Sequence, residues 1–206
     1  MQLDPARNSA AENYKLLANL IVPRPIAWIS TVDKAGVVNL APFSFFNAVA
    51  SEPLYLVLGL GSKKSGELKD TARNILDSGE FVVNLVTEEL FAAMNVTAAD
   101  FPSSESELVA AGLHAAPSVA VKPPRVAECQ ASMECRLHSS QPLGDCMLVI
   151  GEVVMFHVAD HLVGPRMDIR DFAPVGRMGI SAGYCRTRDQ FDAPRIIYDQ
   201  WVKNSK

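Results

Sequence analysis

Lys63, Lys64, Lys69 and Thr71 stand close together in the first half of the chain. They flank a stretch where a helix should start, near Asp70-Thr71. Leu68, Ala72, Ile75 and Leu76 are spaced as its apolar face, and Gly79 is its natural stop. Backbone N–H groups at a helix start, joined by lysines and a hydroxyl, are the donor set that a phosphomonoester needs. The same residues fit a solvated basic loop equally well. A second cluster lies upstream, in Pro42-Phe43-Ser44-Phe45-Phe46. Exposed loops seldom crowd phenylalanines in this way, so either the core or a flat ligand should cover the rings. Pro42 stiffens the segment, and Ser30, Thr31, Asn39 and Ser44 supply hydrogen-bonding groups. Taken together, the two clusters describe a ligand with a planar ring at one end and a phosphate at the other, which FMN fits.

Other motifs fail on their own chemistry. Gly59-Leu60-Gly61-Ser62-Lys63-Lys64 has Lys64 where a dinucleotide fingerprint needs its third glycine, and Lys63 where a phosphate loop needs glycine. Gly179-Ile180-Ser181-Ala182-Gly183 matches a nucleophile elbow. The last histidine is His161, however, so the order serine, acid, histidine is impossible and a flexible loop is expected. His157 and His161 lack further ligands nearby and read as part of a solvated turn, not a metal pair.

The elements that must position the two clusters are mostly strands. Residues 26–31 and 37–40 read as a strand pair around the turn Asp33-Lys34-Ala35-Gly36, with Gly36 able to take a positive φ. A rigid loop follows over 41–47. Residues 54–60 are apolar throughout, as in a strand buried on both faces, and 81–86 is another strand. Residues 88–95 read as helical, and Ser104-Glu105-Ser106-Glu107 as a capping box ahead of a helix over 108–111. Residues 130–138 alternate like a half-buried strand, with Ala131, Met133, Cys135 and Leu137 inward. Residues 146–158 form a long strand, with a bulge expected at Gly151. The chain from Gly164 onward reads as irregular and carries several arginines. Strands close in sequence, with few helices, favour a mainly β, closed antiparallel barrel with peripheral helices.

The 206 residues fit a single domain, with a core over about 20–196 and an N-terminal arm over 1–19 that carries a short helix. A net charge of −4 without blocks of like charge argues against nucleic-acid or membrane partners. No apolar run approaches the ~20 residues that span a bilayer. The start of the chain lacks a signal core, and the four cysteines form no CxxC pair, so a reduced, cytoplasmic protein is expected.

Read in order, PRPIAWIST, NLAPFSFFNAVASEP, KDTARNILDSGEFVVNLV, VKPPRV, IGEVV and PVGRMGISAGY resemble the flavin reductase-like, FMN-binding split-barrel proteins, which include flavoredoxin and reductase components of two-component monooxygenases. The resemblance runs from about residue 20 to about residue 196. It implies a Greek-key split β-barrel, a homodimer, and a flavin groove near the dimer interface. Carried over by motif, Ser30 and Thr31 would lie beside the flavin. Asn39, Ala41, Pro42, Phe43, Ser44 and Phe45 would line its ring and ribityl chain. Lys69, Asp70 and Thr71, with Ser62, would hold the phosphate. Arg177 and Tyr184 match the C-terminal pattern, although Ile180 and Ser181 interrupt its usual glycine pair. The implied activity is FMN-dependent reduction by NADH or NADPH, with electrons passed to a small-molecule or protein acceptor. FMN stands ahead of FAD, but the sequence does not settle the two, because room for an adenylate depends on loops it does not display. Two alternatives remain: an FMN electron carrier without an efficient nicotinamide site, and a flavin-free interaction module on the same barrel.

Overall fold

The computed structural model describes residues 1–63 and 65–204. Its strands are β1 (Ala27–Val32), β2 (Val38–Phe43), β3 (Phe46–Ser51), β4 (Leu54–Gly61), β5 (Glu80–Asn84), β6 (Ala115–Ala116), β7 (Arg125–Val126), β8 (Ala131–Leu143), β9 (Cys146–Val158), β10 (Val175–Met178) and β11 (Gly183–Arg186). The α-helices are α1 (Ala10–Leu20), α2 (Asp70–Ser78), α3 (Phe91–Val96), α4 (Glu107–Ala110) and α5 (Tyr198–Asn204).

The main sheet is antiparallel and runs β2-β1-β5-β8-β9-β4-β3. Its two edge strands are consecutive in the chain. β2 pairs with β1, the chain bends at Ser44-Phe45, and β3 pairs with β4. The N–H of Gly59 donates to the Phe45 carbonyl at 2.7 Å, so the bend itself is fastened to β4. One bent strand thus joins the two ends of the sheet, which is the architecture of a split barrel.

The segment 41–47 is therefore the end of β2, a bend and the start of β3, not a loop. Proline is tolerated there because β2 is an edge strand and needs no second ladder partner for Pro42. The turn into β2 is as its sequence dictates. Asp33 Oδ1 accepts from the N–H groups of Ala35 and Val37, and Gly36 takes φ 86°.

The barrel interior is filled by Ala27, Ile29, Phe43, Leu56, Leu58, Phe81, Val83 and Cys135, with Ala72 and Ile75 of α2 packed against them. Trp28 and Leu40 face the other way, into a second cluster with Met94 of α3 and Leu108 of α4. β1 is thus buried on both faces. Gly151 matters because of close approach: a Cβ there would run into Phe81 Cζ. The register shifts lie nearby, at His138 of β8 and Val154 of β9, so Gly151 is not itself the bulge.

The polar face of 130–138 is not solvated at its start, because Ser132 and Glu134 are buried. Glu134 accepts from the N–H groups of Val119, Ala120 and Val121, and its Oε1 lies 2.5 Å from His157 Nε2. A loop distant in sequence supplies the missing partners. His157 is correspondingly a β9 residue and not part of a turn. The capping box at Ser104–Glu107 does not form; the α4 cap is Ser106, without a side-chain bond, and Glu107 turns inward instead. The stretch after Gly164 is not irregular throughout, since β10 and β11 form a hairpin whose turn is Gly179–Ala182. The elbow-like motif is that turn.

Candidate functional site

α2 starts bare. Lys69 is its N-cap residue in extended conformation, and no side chain caps the first-turn N–H groups. Unpaired N–H groups and the positive end of a helix favour an anion. A cavity of about 480 Å³ opens in front of them, lined by Asn39, Ala41, Pro42, Phe43, Ser62, Lys63, Lys69, Asp70 and Thr71 on one side. Residues 97–101 and Glu107 form the other side. Lys69 Nζ lies 5.7 Å from the centre of the Phe43 ring. Asn39 Nδ2 donates to Thr71 Oγ1 at 2.9 Å, which ties the start of β2 to the helix start. Lys64 lies outside the described residues.

The carboxyls here have separate fates. Asp70 is partly buried, which opposes its charge, but bonds from Lys63 and Arg73 outweigh burial and hold its carboxyl below the usual range. Its charge is spent on those two cations. Glu107 is buried, with Oε2 accepting from the Leu40 N–H at 2.9 Å. Burial pushes its carboxyl above the usual range.

A second chamber of about 620 Å³ continues past Pro42, Phe43 and Ala98, which line both spaces. Its further walls include Tyr14 of α1, Arg24, Ser44, Phe91, Arg177 and Tyr184. Arg24 is buried. Its guanidinium donates to Ser44 Oγ and to the carbonyls of Ala18, Ile21 and Gly179, so one side chain fastens α1, the bend and the β10–β11 turn together. Arg177 lies 4.7 Å over the Tyr184 ring, and Tyr184 meets Phe91 edge-on. The two spaces form one groove, with a bare helix start at one end and aromatic and guanidinium groups at the other.

The groove gathers most of the residues singled out from the sequence. Asn39, Ala41, Pro42, Phe43, Ser62, Lys69, Asp70 and Thr71 line the helix end, and Ser44, Arg177 and Tyr184 line the other. Phe45 lies behind it, in an apolar cleft of about 260 Å³ with Leu17, Ile21 and Pro23. Ser30 and Thr31 do not reach the groove. Both are fully buried; Ser30 Oγ donates to the Pro124 carbonyl, and Thr31 Oγ1 accepts from Asn74. Sequence reasoning missed Tyr14, Arg24 and Glu107. Arg24 stood in the PRPIAWIST segment, but its role depends on partners far along the chain.

A closed antiparallel sheet with a groove along the bent strand makes this a split-barrel protein. The chain belongs to the flavin reductase like domain family, whose pattern matches residues 19–173. Among solved structures it is similar to nitrilotriacetate monooxygenase component B from Bacillus cereus, at 39% identity and a TM-score of 0.89, covering 94% of this chain and 98% of that one. It is also similar to the 2-nitrobenzoate 2-nitroreductase of Pseudomonas fluorescens, at 28% identity and a TM-score of 0.88, covering 96% of this chain and 98% of that one. An uncharacterized protein of Aquifex aeolicus is 42% identical over 168 residues, 81% of this chain and 86% of its own length.

Proposed function

We propose that the chain is a flavoprotein oxidoreductase that holds FMN along the groove, accepts electrons from NADH or NADPH, and delivers them to a further acceptor. The observation that carries this reading is the continuity of the groove from the bare start of α2 to the Pro42–Ser44 segment. The residues fit the cofactor. A terminal phosphate finds the first-turn N–H groups of α2, Lys69 and the Ser62 region. A polyol chain finds Asn39 and Glu107, and a flat ring finds Pro42, Phe43 and the neighbouring backbone.

Bound there, the flavin supplies the redox chemistry. The chain's own task is to grip, orient and set the potential around it. Asn39 and Thr71 hold the start of β2 against the helix start, so that the phosphate grip is tied to the strand that carries the ring wall. Arg24 and Arg177 place positive charge at the ring end, which favours added negative charge there. Two similar proteins, a monooxygenase component and a nitroreductase, support an oxidoreductase reading. His157 lines neither part of the groove and is bonded to Glu134, so no nicotinamide role is assigned to it. The homodimer is part of the proposal. It is supported by β3, an edge strand exposed along almost its whole length, with Ala48, Val49 and Ala50 on the surface.

The test compares FMN with riboflavin in equilibrium titration. A phosphate held by charge-assisted bonds should make FMN at least about a hundredfold tighter, since each such bond contributes roughly 1.5–3 kcal/mol. Lys69→Gln combined with Thr71→Val should abolish FMN retention while the thermal melt shows a folded chain. Equal affinity for the two flavins would remove the phosphate assignment.

A further inference from the structure

The ring-end chamber carries two guanidinium groups, and no aspartate or glutamate lines it. The helix end differs: there Asp70, Asp100 and Glu107 face Lys63 and Lys69. Neither Arg24 nor Arg177 enters an ion pair among the described residues. Arg24 is 5% exposed, and its guanidinium donates to three carbonyls and the Ser44 hydroxyl. Carbonyls satisfy its donors but leave its charge uncompensated, and buried charges are ordinarily paired. Arg177 gives Nη2 to the Ile180 carbonyl and is stacked on Tyr184, which leaves part of its planar fork open to the chamber. Phe43, Phe91 and Tyr184 add flat apolar wall, and Ser44, Asn95 and Ser181 add uncharged polar groups.

We infer that this chamber takes a planar aromatic carboxylate, its anionic group held by the Arg177 fork and attracted by the fixed charge of Arg24. The aromatic walls cover the ring of such a molecule, and a carboxylate matches a guanidinium fork in plane and spacing. The inference rests on the FMN reading for the flavin ring at Pro42 and Phe43, which would form one face of the space left to the acid; the opposite side, with Arg177, Phe91 and Tyr184, is built from this chain's side chains. It gives the oxidoreductase a substrate class, small aromatic acids. The same positive charge could serve a phosphate of a nicotinamide nucleotide, and the experiment separates the two sources.

Benzoate, benzamide and inorganic phosphate are titrated calorimetrically into the full chain, with and without saturating FMN. FMN retention is read separately from its visible absorbance. The expected result is benzoate binding at least about tenfold tighter than neutral benzamide, with inorganic phosphate unable to displace it at equal concentration. Arg177→Gln should erase that preference. Arg177→Lys keeps charge and stem but loses the fork, and should lose most of it. Benzoate binding no tighter than benzamide overturns the inference, as does a preference that survives both substitutions. Displacement by equal phosphate assigns the charge to a phosphate and overturns the carboxylate. A benzoate preference in a chain that retains no FMN would support the chamber and overturn the flavin reading. Retained FMN with no benzoate preference would do the reverse.

Discussion

Glu107 is the residue whose presence in the groove most needs a physical account. It is a buried carboxyl beside the proposed phosphate end, with one oxygen on the Leu40 N–H and Asp70 near enough to raise its proton affinity further. Because burial first, and Asp70 in addition, push it above the usual carboxylate range, the folded chain holds its proton more tightly than the unfolded one. Its contribution to stability is therefore fully present below the ordinary carboxylate range and is lost as pH rises through its raised folded value. Ionised Glu107 should also repel a phosphate. Glu107→Gln keeps an acceptor for Leu40 and removes the charge. Above the raised folded value of Glu107 the variant should bind FMN about fivefold tighter, roughly 1 kcal/mol, and the gain should vanish as pH falls below that value. Titrations of both proteins across pH check this, and a variant whose advantage does not grow with pH would contradict it. Lys69 and Thr71 were legible in the sequence because a helix start is local information. Glu107, Arg24 and Tyr14 were not, because each acquires its role from an element far along the chain. Ser30 and Thr31 lie outside the groove lining for a related reason: their hydroxyls are polar, but Pro124 and Asn74 use them inside the core.

The bent strand is the element that builds the groove, and the strands behind it keep it in place. Gly151 lets β9 pass the Phe81 ring that fills the barrel. Gly151→Ala should cost about 1–3 kcal/mol by overpacking, measured as a lower denaturant midpoint; an unchanged midpoint would mean that Phe81 has room to move. β8 carries the second structural device, the tether from Glu134 to residues 119–121. Burial opposes the Glu134 charge, but the N–H groups of Val119 and Ala120, with His157, hold the carboxyl below the usual range. That stabilisation is present above the unfolded carboxyl value and is lost as pH falls through the lower folded value. Glu134→Gln should lower stability by about 3 kcal/mol at pH 7, with the gap to the unmodified protein closing in strong acid. Thermal melts at both pH values read this directly. α2 and β9 were legible in the sequence because one face of each meets the core, whereas β4, read as buried on both faces, buries Leu56, Leu58 and Leu60 and leaves Tyr55, Val57 and Gly59 half-buried. β3 was not, because an exposed edge strand has no inward face to mark it, and Pro42 disguised the end of β2. The alternation of 130–138 was read correctly, but a sequence pattern cannot show that a distant loop will cover its polar face.

At the scale of the whole molecule, the sheet leaves the β3 edge exposed, Val49 included. An uncovered apolar edge strand is a pairing surface. Light scattering should therefore give twice the chain mass of 22.3 kDa, and Val49→Lys should shift it toward one chain; a single-chain mass for the unmodified protein would remove the dimer. No helix among the described residues is long and apolar enough to cross a membrane. The barrel was legible in the sequence as a class, through closely spaced strands. Its closure was not, because it depends on the bend at Ser44-Phe45 bringing two edges together. What the molecule does with its groove is tested most directly by the visible spectrum of the purified protein, recorded without oxygen before and after NADH and then NADPH. A bound-flavin spectrum that bleaches rapidly with one of them is the predicted result. No flavin spectrum, and none retained after FMN and FAD are added, would contradict it.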